Sequence, residues 1–134
     1  MKLWRAFFKA GGVKDAPTNG VEVFAENYAD EKLGEKGYSV TPVDKLKIGY
    51  DRKAKTPTGD EIHIEVKGQS HDQDVELKGN ELEAAEAYKD AFYLCVVTGI
   101  PENPSMHFLK NPAAVGTKEK VTIPAEVWKS ALAC

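Results

Sequence analysis

Two short segments hold the residues best suited to chemistry: GYDR at Gly49–Arg52 and IEVKGQ at Ile64–Gln69. Asp51 and Glu65 are separated by thirteen residues, and Lys67 follows Glu65 at a spacing of two. In a strand, residues two apart share a face. Glu65, Lys67 and Gln69 therefore project together with His63 beside them, while Ile62, Ile64 and Val66 project into a core. Carboxylates from two neighbouring strands suit magnesium or manganese, which prefer oxygen ligands and keep several waters. Asp51 and Glu65 would hold the ion, helped by a backbone carbonyl near Val66. Such an ion polarises a phosphate and lowers the pKa of a bound water. Lys67 would orient that water or stabilise charge developing on phosphate oxygens. Glu26, on a helix, is expected to reach the same cluster, through water or at a second ion. Gln69 would touch phosphate or the attacking water.

The same residues have plainer uses. Glu65 and Lys67 also describe the solvated face of an amphipathic strand, with the two charges paired. His63 is open as a ligand, a phosphate contact or a bystander. His71 and His107 have no partners at metal-binding spacing. Asn80 and Glu81 read as helix-start residues. The charges of YADEKLGEK read as a solvated helix face, with Glu26 the exception.

The elements that must position these groups follow from periodicity and turn chemistry. GGVKDAPTNG, residues 11–20, reads as a linker. Residues 21–36 read as a helix with Val23, Phe24, Tyr28 and Leu33 on its packed face, ended by Gly37. YSVTPV is a short strand in which Pro42 marks an edge or an end. Residues 47–55 form a second strand, TPTGD a turn, and residues 61–67 a third strand stopped by Gly68. SHDQD is a loop. VEL leads to a helix from Asn80 to Lys89, with Asn80 as its N-cap. FYLCVV, aromatic and β-branched, is expected at the centre of the sheet. PENP is a turn and SMHFLKNP a further strand. VTI and the helix PAEVWKSAL, with Pro124 in its first turn, complete the chain.

The 134 residues are enough for one domain with a real core. A net charge of −3 argues against a general basic coat for nucleic acid. Any DNA contact would use a local patch such as Lys45, Lys47, Arg52, Lys53 and Lys55. Cys95 reads as a buried small hydrophobe, and with Cys134 it forms no disulfide or zinc pattern, so a reducing, cytoplasmic setting is expected. MKLWRAFFKAGG is too short and charged to span a membrane and lacks a signal-peptide pattern, so no membrane association is expected. It suits a short amphipathic helix packing on the body or on a partner.

FAENYADEKLGEKGYSV, IGYDRKAK, HIEVKGQ, LKGNELEAAE and FYLCVV occur in that order. Together they resemble the domain at the C-terminus of the plant NO VEIN protein, also found in bacterial restriction-type proteins, over residues 21–98. The D…ExK spacing likewise resembles the PD-(D/E)xK nuclease superfamily, in which that family is placed. The resemblance implies an α/β, restriction endonuclease-like core: a central mixed sheet of four to five strands flanked by helices. It divides the chain into an N-terminal extension, 1–20, and a nuclease-like domain, 21–134. It carries Glu26, Asp51, Glu65 and Lys67 over as the catalytic set. Lys78 departs from the serine or threonine usual in the family. The implied activity is that of a magnesium- or manganese-dependent DNA endonuclease of restriction, defence or DNA processing. A homodimer or a larger partner protein would supply specificity. The alternatives are a Holliday-junction-resolvase-like enzyme and a non-catalytic module that binds nucleic acid or protein.

Overall fold

A computed structural model describes residues 17–116 and 121–131. The expected N-terminal amphipathic helix, most of the 1–20 extension and Cys134 lie outside the described residues.

Helix α1 spans Pro17–Glu35, starting four residues before the expected position 21. Its buried stripe is Phe24, Ala25, Tyr28, Ala29 and Leu33. Pairs at i and i+4 make a continuous apolar face. Val23 is 48% exposed, so its expected place on that face passes to the two alanines. The helix closes with Tyr38 N–H on the Leu33 carbonyl and Gly37 at φ 92°. That conformation favours a glycine without Cβ.

Strands β1 (Ser39–Pro42), β2 (Arg52–Lys55), β3 (Glu61–Gly68), β5 (Phe92–Thr98) and β6 (Ser105–Lys110) form the main sheet, in the order β1-β2-β3-β5-β6. β4 (Val75–Glu76) and β7 (Thr122–Ile123) pair separately. Among the described strands only β3 and β5 run parallel; their crossover passes through β4 and α2 (Asn80–Tyr88). β1 is an edge strand ending in Pro42, as the proline requires. β5 is buried but lies one strand off centre, a place that β3 takes. Two short helices, α3 (Pro112–Val115) and α4 (Ala125–Lys129), finish the fold, and α3 has no counterpart among the sequence expectations.

The sheet separates two cores. On one face Ile62, Ile64, Val66, Cys95 and Val97 pack against α1. On the other, Phe92, Leu94 and Val96 pack against Ala84 and Ala85 of α2, Leu77, Ile123 and the fully buried Trp128. Among the described residues no helix is long and apolar enough to cross a membrane.

The second strand is shorter than expected. Asp44–Leu46 is a 3-10 turn, and Lys47 and Gly49 have φ of 53° and 97°. Those left-handed residues break the strand before it can start at 47. At Gly49 a Cβ would lie 2.3 Å from the Asn80 carbonyl oxygen, so the loop sits directly on the start of α2.

Candidate active site

The early stop of β2 builds the site. Arg52 pairs with Ile64, and Asp51 N–H reaches the Ile64 carbonyl at 2.9 Å. Beyond that point β3 keeps β5 on one side and, among the described residues, has no strand on the other. Carboxylates take the vacant positions. Asp51 Oδ2 accepts the Val66 N–H at 2.9 Å, and the Gly68 N–H and Lys67 draw the Glu22 carboxyl of α1 toward its charged form, against its burial. In a strand the N–H and C=O of one residue point the same way. The Val66 carbonyl therefore opens onto this edge, between the two acids along the strand.

Gly68 makes the Glu22 approach possible. A Cβ there would stand 2.7 Å from Ala25 Cβ and 2.9 Å from the Val21 carbonyl. Only a glycine lets α1 come this close. Glu26 follows Glu22 by one helical turn and also feels the charge of Asp51.

Glu65 and Lys67 leave β3 on the α2 side. Glu65 is 5% exposed. Lys67 Nζ lies 3.3 Å from Glu65 Oε2 and 2.8 Å from Glu81 Oε2. Asp51, Glu65 and Glu81 line one cleft of about 260 Å³ together with Asp44, Lys47 and Tyr50. Asp51, Glu65 and Lys67 thus come together, whereas Glu26 is bound to Arg52 at 3.4 Å and feels the site through the Asp51 charge.

The electrostatics record too many acids for one lysine. Burial, then the Asp51 charge, pushes the Glu65 carboxyl up to about 10. Burial also raises Asp51, against the Val66 N–H and Lys67. It raises Glu22, against Lys67 and the Gly68 N–H. Glu26 is pushed up to about 7, by burial against the pull of Arg52. Burial works against the charge of Lys67, yet Glu65 and Glu81 outweigh it and its pKa rises. A protonated Glu65 and a Lys67 held charged by Glu65 are two descriptions of one coupled titration; the upward shift of Glu65 follows directly from its burial.

Among the described residues, no three His, Cys, Asp or Glu side chains are drawn tightly enough together to hold a metal ion unaided. The donor set nevertheless fits a hard divalent cation. It consists of carboxylate and carbonyl oxygens, and its acids repel one another in a partly dry cleft.

Several side chains have jobs other than those expected. The Gln69 side-chain amide donates to the Gln73 carbonyl and accepts the Gln73 N–H, at 2.9 Å each, so Gln69 pins the loop after β3. His63 is an aromatic block, stacked on Tyr88 at 3.7 Å, with burial lowering its pKa. Arg52 leaves the expected basic patch: it is 5% exposed and bound to Asp30, Asp44 and Glu26. Asn80 is the first helical residue and Gly79 the N-cap. Two acids outside the expected set stand close by: Glu81 lines the cleft, and Glu22 feels the charges of Lys67 and Asp51. Glu22 carried a signal, its i, i+4 spacing from Glu26; Glu81 carried none beyond its place at a helix start.

The sheet order and helix placement are those of the restriction endonuclease-like fold. Hjc, a Holliday junction resolvase from Archaeoglobus fulgidus, matches with a TM-score of 0.63 at 18% identity, over 81% of this chain and 88% of that one. The chain belongs to the family of the C-terminal domain of protein NO VEIN, whose model matches residues 21–109. No curated protein matches significantly.

Proposed function

We propose that this chain is a magnesium- or manganese-dependent endonuclease that hydrolyses DNA phosphodiester bonds. The observation that carries the reading is the acid edge of β3: Asp51 and Glu65 line one cleft, with Lys67 salt-bridged to Glu65. Asp51, Glu65 and the Val66 carbonyl would hold the ion, with Glu26 and Glu22 close enough to feel the Asp51 charge. When bound, the ion supplies Lewis acidity at a phosphate oxygen and a water of lowered pKa. Asp51 is aimed by the Val66 N–H, so its carboxyl is fixed before substrate arrives. Lys67 keeps its proton and offers that charge to a non-bridging phosphate oxygen. Glu81 holds the lysine at the cleft until then.

The similarity to a junction resolvase supports branched DNA as a substrate to test beside ordinary duplex. With a net charge of −3, firm DNA binding calls for a second copy or a larger restriction or defence partner. The test is incubation of the chain with plasmid, branched DNA and RNA in magnesium or manganese, alongside Lys67→Ala. Cleavage of DNA that chelator and Lys67→Ala abolish is expected. Metal-independent cleavage, or cleavage unaffected by Lys67→Ala, contradicts the proposal.

A further inference from the structure

On the α2 side of the sheet, the part formed by β1, β2 and the start of β3 is open. Register places Ser39, Lys55 and Glu61 in one cross-strand row and Thr41, Lys53 and His63 in the next. Cross-strand partners share a face. Ala54, Ile62 and Ile64 alternate with them and pack against α1, so these rows face away from that helix. Ser39, Thr41, Lys53, Lys55 and Glu61 line a cleft of about 340 Å³. The Lys53 and Glu61 side chains are 48% and 47% exposed.

An aromatic stack stands between this face and the acid cleft. Tyr88, the last residue of α2, lies over His63 with centroids 3.7 Å apart and planes 26° from parallel. Tyr50 meets both rings edge-on, at 4.7 and 5.8 Å. Tyr88 nevertheless stays 40% exposed. His63 Nδ1 is buried without a hydrogen-bond partner, so His63 acts as a ring that floors the stack. Tyr50 precedes Asp51 and lines the acid cleft, so the stack adjoins the proposed chemistry.

We propose that this face is a track for single-stranded nucleic acid, with one unpaired base stacking on Tyr88; the proposal rests on the nuclease reading and names the form of substrate. Lysines beside an exposed aromatic ring are the pairing that tracks a backbone and receives bases. In a duplex the base faces are already stacked on one another, so only an unpaired nucleotide can lie on Tyr88. Apart from the buried His63, the rows hold lysine, serine, threonine and a glutamate paired with Lys53 at 3.4 Å, and no large apolar side chain, which suits phosphate better than an apolar protein partner.

The probes are an oligothymidylate carrying 5-iodouracil and a fully paired hairpin, both with the full chain in chelator. Photocrosslinking should map to Tyr88. Tyr88→Leu, which still covers His63, should weaken oligothymidylate binding about tenfold, whereas Tyr88→Phe keeps it and hairpin binding is unmoved by either change. Absent single-strand binding, equal binding by Tyr88→Leu, or crosslinks mapped elsewhere overturn the proposal. So does a dimer of the parent chain that Tyr88→Leu dissolves, since a second copy would then own the face. Cleavage of duplex in magnesium or manganese by the same proteins separates the two readings. A parent that binds oligothymidylate through Tyr88 and cleaves nothing sinks the nuclease and keeps the track; a parent that cleaves but binds independently of Tyr88 does the opposite.

Discussion

Arg52 and Lys67 leave neighbouring strands on opposite faces of one sheet, and each meets several carboxylates. Arg52 spreads its donors over Asp30 at 2.8 and 3.2 Å, Asp44 at 3.2 Å, Glu26 at 3.4 Å and the Asp51 carbonyl at 2.9 Å. It ties α1, the 3-10 turn and β2 together. Lys67 has two carboxylates in reach, Glu65 and Glu81, with Asp51 and Glu22 adding charge nearby. Solvent separates the two clusters more than composition does. The Asp30 and Asp44 side chains are 35% and 39% exposed, whereas that of Glu65 is 7% exposed. Water screens Asp30 and Asp44 and also reaches Lys67 and Glu81, each 27% exposed, but it does not reach Glu65. The Arg52 cluster therefore behaves as a fastening, and the Lys67 cluster as a site short of positive charge.

That contrast breaks first on catalysis. Glu65→Gln and Lys67→Ala should each lower cleavage by about 10²–10³-fold, the usual scale for removing a group that stabilises developing charge. In chelator Glu65→Gln should melt no lower than the parent; a large loss of stability would make Glu65 a structural ion-pair residue instead. Arg52→Met should show the opposite pattern. It leaves three acids from two elements without their partner, and their partial exposure brings the cost to about 2 kcal/mol, below that of a fully buried pair. Urea melts check this, and an unchanged midpoint would remove Arg52 as the fastening.

Gly68→Ala probes the boundary between the two regions. Its Cβ would press on Ala25 and the Val21 carbonyl, at an expected cost of about 1–2 kcal/mol. It would also move Glu22 off the edge, so the magnesium response should weaken with the stability. Stability lost with the magnesium response intact would leave Glu22 outside the site.

A smaller effect follows from pH. Glu65 and Glu26 have folded pKa values above their ordinary value of 4.5, at about 10 and about 7. The folded chain then binds more protons than the unfolded one above pH 4.5, so metal-free stability falls as pH rises through that window. Melts in chelator should drop by several degrees between pH 5 and pH 8. The drop should shrink in Glu65→Gln and survive in Arg52→Met. A melting temperature that rises over this range would show that the acids are satisfied by partners.

Much of this contrast was legible in the sequence, and what was hidden has a physical cause. Strand alternation at Ile62–Lys67 and the turn residues after Lys55 sufficed to put Glu65 and Lys67 on one face. The fastening was not legible, because Asp30, Asp44 and Arg52 meet only after α1 has packed across β2. Gln69 was misplaced because β3 ends at Gly68, and alternation says nothing past a strand's end. The extent of β2 was overestimated because Lys47 and Gly49 adopt left-handed geometry, which a lysine seldom signals. Glu22 was passed over because its role depends on a close approach that Gly68 allows.

The most direct test is a set of thermal melts on the parent and Asp51→Asn, each with magnesium and with chelator. Asparagine keeps an oxygen for the Val66 N–H while removing one of the crowded charges. The metal-free mutant should therefore melt at or slightly above the parent. Magnesium bound only by the folded parent should stabilise it by about 2.7 kcal/mol at a hundred times Kd, and Asp51→Asn should lose that gain. A lower melting point for metal-free Asp51→Asn, together with a parent that magnesium and manganese leave unmoved, would contradict the metal-dependent site and leave the fold as an interaction module.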